Sequence, residues 1–133
     1  MTLDSSLLVL SVLIFIVQVM VQGVFSNLEH KPKELLGPRD QLSDGKLAAR
    51  AKRANQNMME ALFMFAPLML VAIALDRTNE MTALGGWLFV IGRAAYAPLY
   101  WFGVPVVRTL AWIAALAGIV LVLLQVLPFS GAA

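Results

Sequence analysis

The sequence predicts an all-α integral membrane protein, a four-transmembrane-helix bundle that fills residues 1–133 as a single membrane domain. Three observations point to it. The chain is 60% hydrophobic and only 14% charged, against roughly 45–50% and about 25% in soluble domains, so too little polar material is present to coat a globule. The charged residues are nearly absent from four long runs. Those runs do not alternate as the strands of a lipid-facing barrel do, and helices are then the way to satisfy backbone groups in hydrocarbon.

Residues 5–28 carry no charged side chain, which predicts a first span over about 5–27, since crossing takes about 20 residues. The preceding MTLDSS has no basic residue and no small-x-small cleavage site follows the run, so the reading is a retained helix rather than a signal peptide. A polar loop follows over about 28–46, punctuated by Pro32, Gly37, Pro38 and Gly45, which resist a continuous helix. The second helix is expected over 47–75, with Ser43 or Asp44 as its cap. Its length is roughly 43 Å at the standard rise, more than a bilayer core, so its first turns belong at the interface. A third span is expected over 83–102, broken in its charge-free character only by Arg93. Gly103-Val104-Pro105 closes it, because proline disfavours a helical residue before it. The same proline suits the first turn of a fourth span over 105–127.

Seven of the ten basic side chains, Lys31, Lys33, Arg39, Lys46, Arg50, Lys52 and Arg53, gather around the first loop. The positive-inside rule puts that loop in the cytoplasm and both termini outside it. A nucleic-acid partner is not expected. Glu29, Glu34, Asp40 and Asp44 are mixed among the bases and no aromatic side chains interleave. With no cysteine and one histidine, His30, neither a disulfide framework nor a metal centre is expected.

The residues that call for explanation are polar and lie inside apolar helices. Arg53, Asn57 and Glu60 follow one another at i+4 and i+3 on the second helix, so they share one stripe. A carboxylate facing lipid is costly, so Glu60 should face the bundle interior, a partner subunit or a polar cavity. Arg93, Tyr96 and Tyr100 repeat the pattern on the third helix. Arg93 is too deep to reach the interface easily, and Glu60 is its natural candidate partner. Arg108 stands in the first turns of the fourth helix. The plainer readings are a hydrogen-bonded network between helices, interface anchoring by the tyrosines and a phospholipid contact for Arg108. The site reading is a pocket for an anionic, amide-rich small molecule, because arginine offers a fork of donors to carboxylates and Asn57 can both donate and accept.

RAKRANQNMME resembles the second-helix signature of the MAPEG family, the membrane-associated proteins in eicosanoid and glutathione metabolism. That signature carries an arginine, an asparagine and a glutamate at the spacing of Arg53, Asn57 and Glu60. GRAAYAPLY, followed by Arg108-Thr109, resembles the family's arginine, tyrosine and late Arg-Ser pattern. The agreement extends along essentially the whole chain, which looks closest to the small bacterial branch. The resemblance implies a homotrimer with pockets between neighbouring subunits that open to the cytoplasmic side. It implies glutathione as the bound cofactor, held by Arg53, Asn57, Glu60, Arg93 and Tyr100, with Tyr96 among the binding candidates. Arg108 would be the catalytic residue that stabilises the thiolate, for transferase or peroxidase-like reactions on small lipophilic electrophiles. Gln56 stands where glutathione-using relatives often carry another arginine, and Thr109 replaces the usual serine.

Two other classes stay open at this point: a non-catalytic oligomeric membrane protein with a structural polar stripe, and a small channel or transporter lined by Glu60 and Arg93. The absence of inverted half-repeats disfavours a secondary transporter. Single cysteines introduced at Lys33 and Asn79 into this cysteine-free chain should react with a membrane-impermeant reagent from opposite sides. Labelling of position 33 from outside intact cells would reverse the topology.

Overall fold

The computed structural model describes residues 2–30 and 45–128. Among them are four helices: α1 (Leu3–Glu29), α2 (Lys46–Ala74), α3 (Glu80–Trp101) and α4 (Pro105–Val126). Helix α1 packs on α2 and α3, α2 also packs on α3 and α4, and α3 and α4 form the closest pair. Where the sequence predicts four spans, α1, α2 and α4 are long and apolar enough to cross a membrane. Helix α3 has 22 residues, roughly 33 Å, so length does not set it apart. Its apolar character is diluted by Glu80, Arg93 and three glycines, Gly85, Gly86 and Gly92.

Lipid exposure is written in the direction of the side chains. Helix α1 buries Asp4, Leu7, Ser11 and Gln18 while leaving Val9, Leu13, Ile16 and Met20 between 51% and 66% exposed. Surface helices of soluble proteins do the reverse. In lipid the polar groups must find partners inside the protein, and they do. Asn55 on α2 donates through Nδ2 to Gln22 Oε1 at 2.6 Å and accepts from Gln18 Nε2 at 3.5 Å. Below this amide cluster, Thr82 Oγ1 lies 2.9 Å from Asp4 Oδ1 and ties α3 to α1.

The helix ends are closed by side chains from other helices as much as by their own. The N-cap position of α2 is Gly45, which has no side chain to offer. Glu29, at the end of α1, instead accepts from the free N–H groups of Leu47 at 2.8 Å and Ala48 at 3.2 Å. A carboxylate at a helix N-terminus is favoured by the dipole as well as by the hydrogen bonds. Ser43 and Asp44, the capping residues expected from the sequence, lie outside the described residues. Asn79 and Thr82 form a capping box at the start of α3. Arg77 donates to the last carbonyls of α4, those of Val126 and Leu127. At the other end of the bundle, Gly103 has φ +71°, a left-handed conformation that glycine adopts without strain. Arg50 Nη1 donates to the Trp101 carbonyl beside it at 3.2 Å.

The core lies between α2, α3 and α4, around Phe65 and Phe89, whose rings stack with centroids 4.0 Å apart. Helices α3 and α4 meet backbone to backbone. A Cβ on Gly85 would stand 2.7 Å from the Gly118 carbonyl oxygen, and one on Gly92 would stand 2.8 Å from that of Ala111. Without a hydrophobic force between helices in lipid, such small-residue contacts supply the close packing. Gly85→Ala and Gly118→Ala should therefore each lower stability by about 1–3 kcal/mol through overpacking. Gly23→Ala, where nothing lies within 4 Å, should raise it by about 0.5–1 kcal/mol because glycine is costly in an open helix. Thermal unfolding followed by circular dichroism in one detergent reads all three. Equal effects at positions 23 and 118 would contradict this packing.

Candidate functional site

Arg93 is fully buried, and among the described residues it is the largest side chain that is. A guanidinium at this depth needs several partners, and neighbouring residues of α2 and α3 provide them. Its Nη1 donates to Asn57 Oδ1 at 2.8 Å, and its Nε donates to the sulfur of Met58 at 3.2 Å. The Tyr96 ring, one turn further along α3, lies with its centroid 4.2 Å from Arg93 Cζ, within cation–π range. Nη2 is buried with no partner.

From Tyr96 the arrangement continues toward the end of the bundle where the basic residues collect. Tyr96 and Tyr100 stand one turn apart with ring centroids separated by 5.7 Å. Arg108, from the start of α4, places its Cζ 4.6 Å from the Tyr100 centroid. Arg53, from α2, donates through Nε to the Tyr100 hydroxyl at 3.1 Å. Three helices thus bring Arg53, Asn57, Arg93, Tyr96, Tyr100 and Arg108 into one continuous set of contacts. A cavity of about 280 Å³ opens among them, lined by Asn57, Tyr96, Tyr100, Arg108, Thr109 and Trp112. Among the described residues no carboxylate pairs with Arg53, Arg93 or Arg108. The set is cationic and rich in donors, which suits a ligand with carboxylate and amide groups.

Glu60 does not join it. The expected partnership with Arg93 is replaced by that of Asn57 and Met58, and Glu60 is exposed on the chain with no polar partner among the described residues. Gln56 is also exposed. One residue of the cavity wall, Trp112, and the amides of α1 went unread in the sequence. Gln18 and Gln22 were the available signal: with Asp4, Ser11 and Glu29 they recur at intervals of seven and four, a single helical face that is polar within an apolar run.

The Asn57–Arg93 hydrogen bond joins α2 to α3 and should show as coupling. A double-mutant cycle combining Asn57→Ala with Arg93→Met is expected to give an interaction of about 1–3 kcal/mol, the range for a hydrogen bond to a charged group. Unfolding of the four proteins in detergent measures it, and additive effects would mean the pair does not hold the helices.

No curated protein and no solved structure matches the chain. The MAPEG family profile matches residues 2–127, from the cap of α1 to the end of α4. The chain belongs to the MAPEG family.

Proposed function

We propose that the protein is a glutathione-dependent membrane enzyme acting on small lipophilic electrophiles, by transfer or by a peroxidase-like reduction. Family membership supports a broad role in glutathione or lipid metabolism. The observation that carries the narrower reading is the donor-rich cavity between α2, α3 and α4, with Arg108 on its wall unneutralised by any described carboxylate. Asn57, Tyr96 and Tyr100 supply neutral hydrogen-bonding groups, Arg53 and Arg93 supply charge behind them, and the Nη2 of Arg93 is a donor without a partner among the described residues. These groups fit a peptide that carries carboxylates and amides.

Glutathione, when bound, supplies the nucleophilic sulfur. Arg108 would favour the thiolate by charge, and its position in the first turn of α4 adds the positive end of that helix. Asn57, Arg53 and the two tyrosines would hold the remainder of the peptide so that its sulfur is oriented, a contribution that can match the electrostatic one. The electrophile would enter from the lipid, on the side of Trp112.

The same reading takes the protein as a homotrimer with its sites between subunits. A cavity of about 280 Å³ is small beside the ~300–1,000 Å³ usual for ligand sites, and a neighbouring subunit would complete it. Glu60 supports this too, because a carboxylate at membrane depth without a partner among the described residues calls for one on another subunit. Helix α3 then serves as the fourth span. The basic end faces the cytoplasm of a bacterial inner membrane, with both termini on the other side.

Two variants separate the roles. Arg108→Leu should lower the thiolate fraction of bound glutathione at neutral pH by about tenfold or more while weakening binding less, since one unit of pKa corresponds to about 1.4 kcal/mol. Asn57→Leu should chiefly weaken binding. The readout is thiolate absorbance in the ultraviolet at saturating glutathione as pH is varied. If the wild type binds no thiol, or if its thiol titrates as in water and Arg108→Leu changes nothing, the polar set is a structural network and the enzymatic reading falls.

A further inference from the structure

A second, larger cavity lies elsewhere. A groove of about 410 Å³ runs between α1 and α3, walled by Leu13, Val17 and Gln18 on one side and by Ala94, Pro98 and Trp101 on the other. It shares no residue with the polar cavity. Leu13, Val17 and Ala94 are exposed along it, so it is open to lipid on one flank.

Its wall is apolar except for two side-chain groups without a partner and one backbone carbonyl without its regular helical donor. Gln18 is 99% buried, at 1% exposure, and its Nε2 is engaged with Asn55, yet its Oε1 has no partner. The indole Nε1 of Trp101 is buried and unpartnered as well. Pro98 has no N–H to return to the carbonyl of Ala94, four residues earlier in α3, so that carbonyl lacks its regular helical donor. In hydrocarbon no water offsets such losses, and each unmatched group costs several kcal/mol. The residues that carry these two acceptors and one donor line one lipid-facing groove, with the unpartnered side-chain atoms just behind its surface, and together they define a complementary occupant. No residue lining the groove is ionisable, so a charged head group would find no counter-ion there.

We infer that the α1–α3 groove binds a single-chain lipid amphiphile whose head group is uncharged and both donates and accepts hydrogen bonds, as a primary amide or a hydroxyl does. The head donates to Gln18 Oε1 and accepts from Trp101 Nε1, with small movements of these side chains, and the chain lies along Leu13 and Val17. The volume falls within the ~300–1,000 Å³ of small-molecule sites. The site is independent of the thiol chemistry on the opposite side of the bundle.

Trp101 is itself the reporter. In a Trp87→Phe, Trp112→Phe background it is the only remaining tryptophan of three, and brominated lipids quench it on contact. The protein is reconstituted in phosphatidylcholine vesicles with 9,10-dibromostearamide, its methyl ester counterpart, which accepts but does not donate, or 9,10-dibromooctadecane. Quenching by the amide should saturate, at a mole fraction about tenfold below that needed for the ester, the size expected of one net hydrogen bond. Gln18→Leu should bring the amide to the level of the ester. Ala94→Phe fills the groove while leaving Gln18 and Trp101 in place, and it should abolish the saturable component whether or not the Gln18 variant assembles. Unsaturable quenching that is alike for the three probes would reduce the groove to ordinary lipid-facing surface. Saturable quenching unaffected by Ala94→Phe would place the lipid elsewhere, and either result overturns the assignment.

Discussion

The buried guanidinium of Arg93 is the constraint around which the rest is arranged. Removing such a group from water and placing it among α2, α3 and α4 costs several kcal/mol, and it is tolerated because the surrounding atoms are fixed to meet it. Asn57 and Met58 are adjacent on α2, so one fixes Nη1 and the other Nε. Tyr96, one turn along α3 from Arg93 itself, offers its ring face. These contacts set the register of α2 against α3 at one level of the bundle. Phe65 and Phe89, stacked at 4.0 Å, set it at another.

Lipid as the outer solvent explains the remainder of the packing. Where apolar contacts between helices gain nothing over apolar contacts with acyl chains, helices are held by close approach and by polar groups. The α3–α4 pair uses the first, with Gly85 and Gly118 in mutual backbone contact. The α1–α2 pair uses the second, with Gln18, Gln22 and Asn55 in one amide cluster. Helix α1 also closes the start of α2 through Glu29. The first helix is thus joined to its neighbours through polar atoms along much of its length.

The number of helices and the turn between α3 and α4 were legible in the sequence, because uncharged runs and a Gly-Val-Pro break are local signals. The two stripes, Arg53, Asn57 and Glu60 on α2 and Arg93, Tyr96 and Tyr100 on α3, were legible from spacing, but Glu60 rather than Asn57 was expected to meet Arg93. Spacing could not say which way the α2 stripe points. At about 100° per residue, Asn57 lies about 40° to one side of Arg53 and Glu60 about 20° to the other. The core residues Ala51, Ala54, Met58, Ala61 and Phe65 centre about 120° from Arg53, on the side of Asn57. Asn57 is therefore on the near edge of the stripe and reaches Arg93, whereas Glu60 is on the far edge and cannot. A stripe drawn on a helix carries no direction until the buried face is known. The amides of α1 were missed for a different reason: two glutamines barely lower the apolarity of a 27-residue helix, although their interval marks its inner face.

The chain of contacts from Arg93 through Tyr96 and Tyr100 to Arg108 has a consequence for charge. A salt bridge would hold an arginine in place and cancel its field. An aromatic ring holds it with a quadrupole, worth about 0.5–2 kcal/mol, and leaves the net charge intact. Arg108 is positioned by the face of Tyr100 and Arg93 by that of Tyr96, so both are ordered without being neutralised. Arg53 is bound to the Tyr100 hydroxyl, a neutral acceptor, with the same result. Arg108 is kept in a fixed position on the wall of one cavity, with Arg93 and Arg53 ordered beside the same tyrosines. Such a cluster repels itself, and its self-repulsion is relieved when an anionic group enters. The tyrosines therefore do more than anchor the helix at an interface: they order the cationic groups without neutralising them.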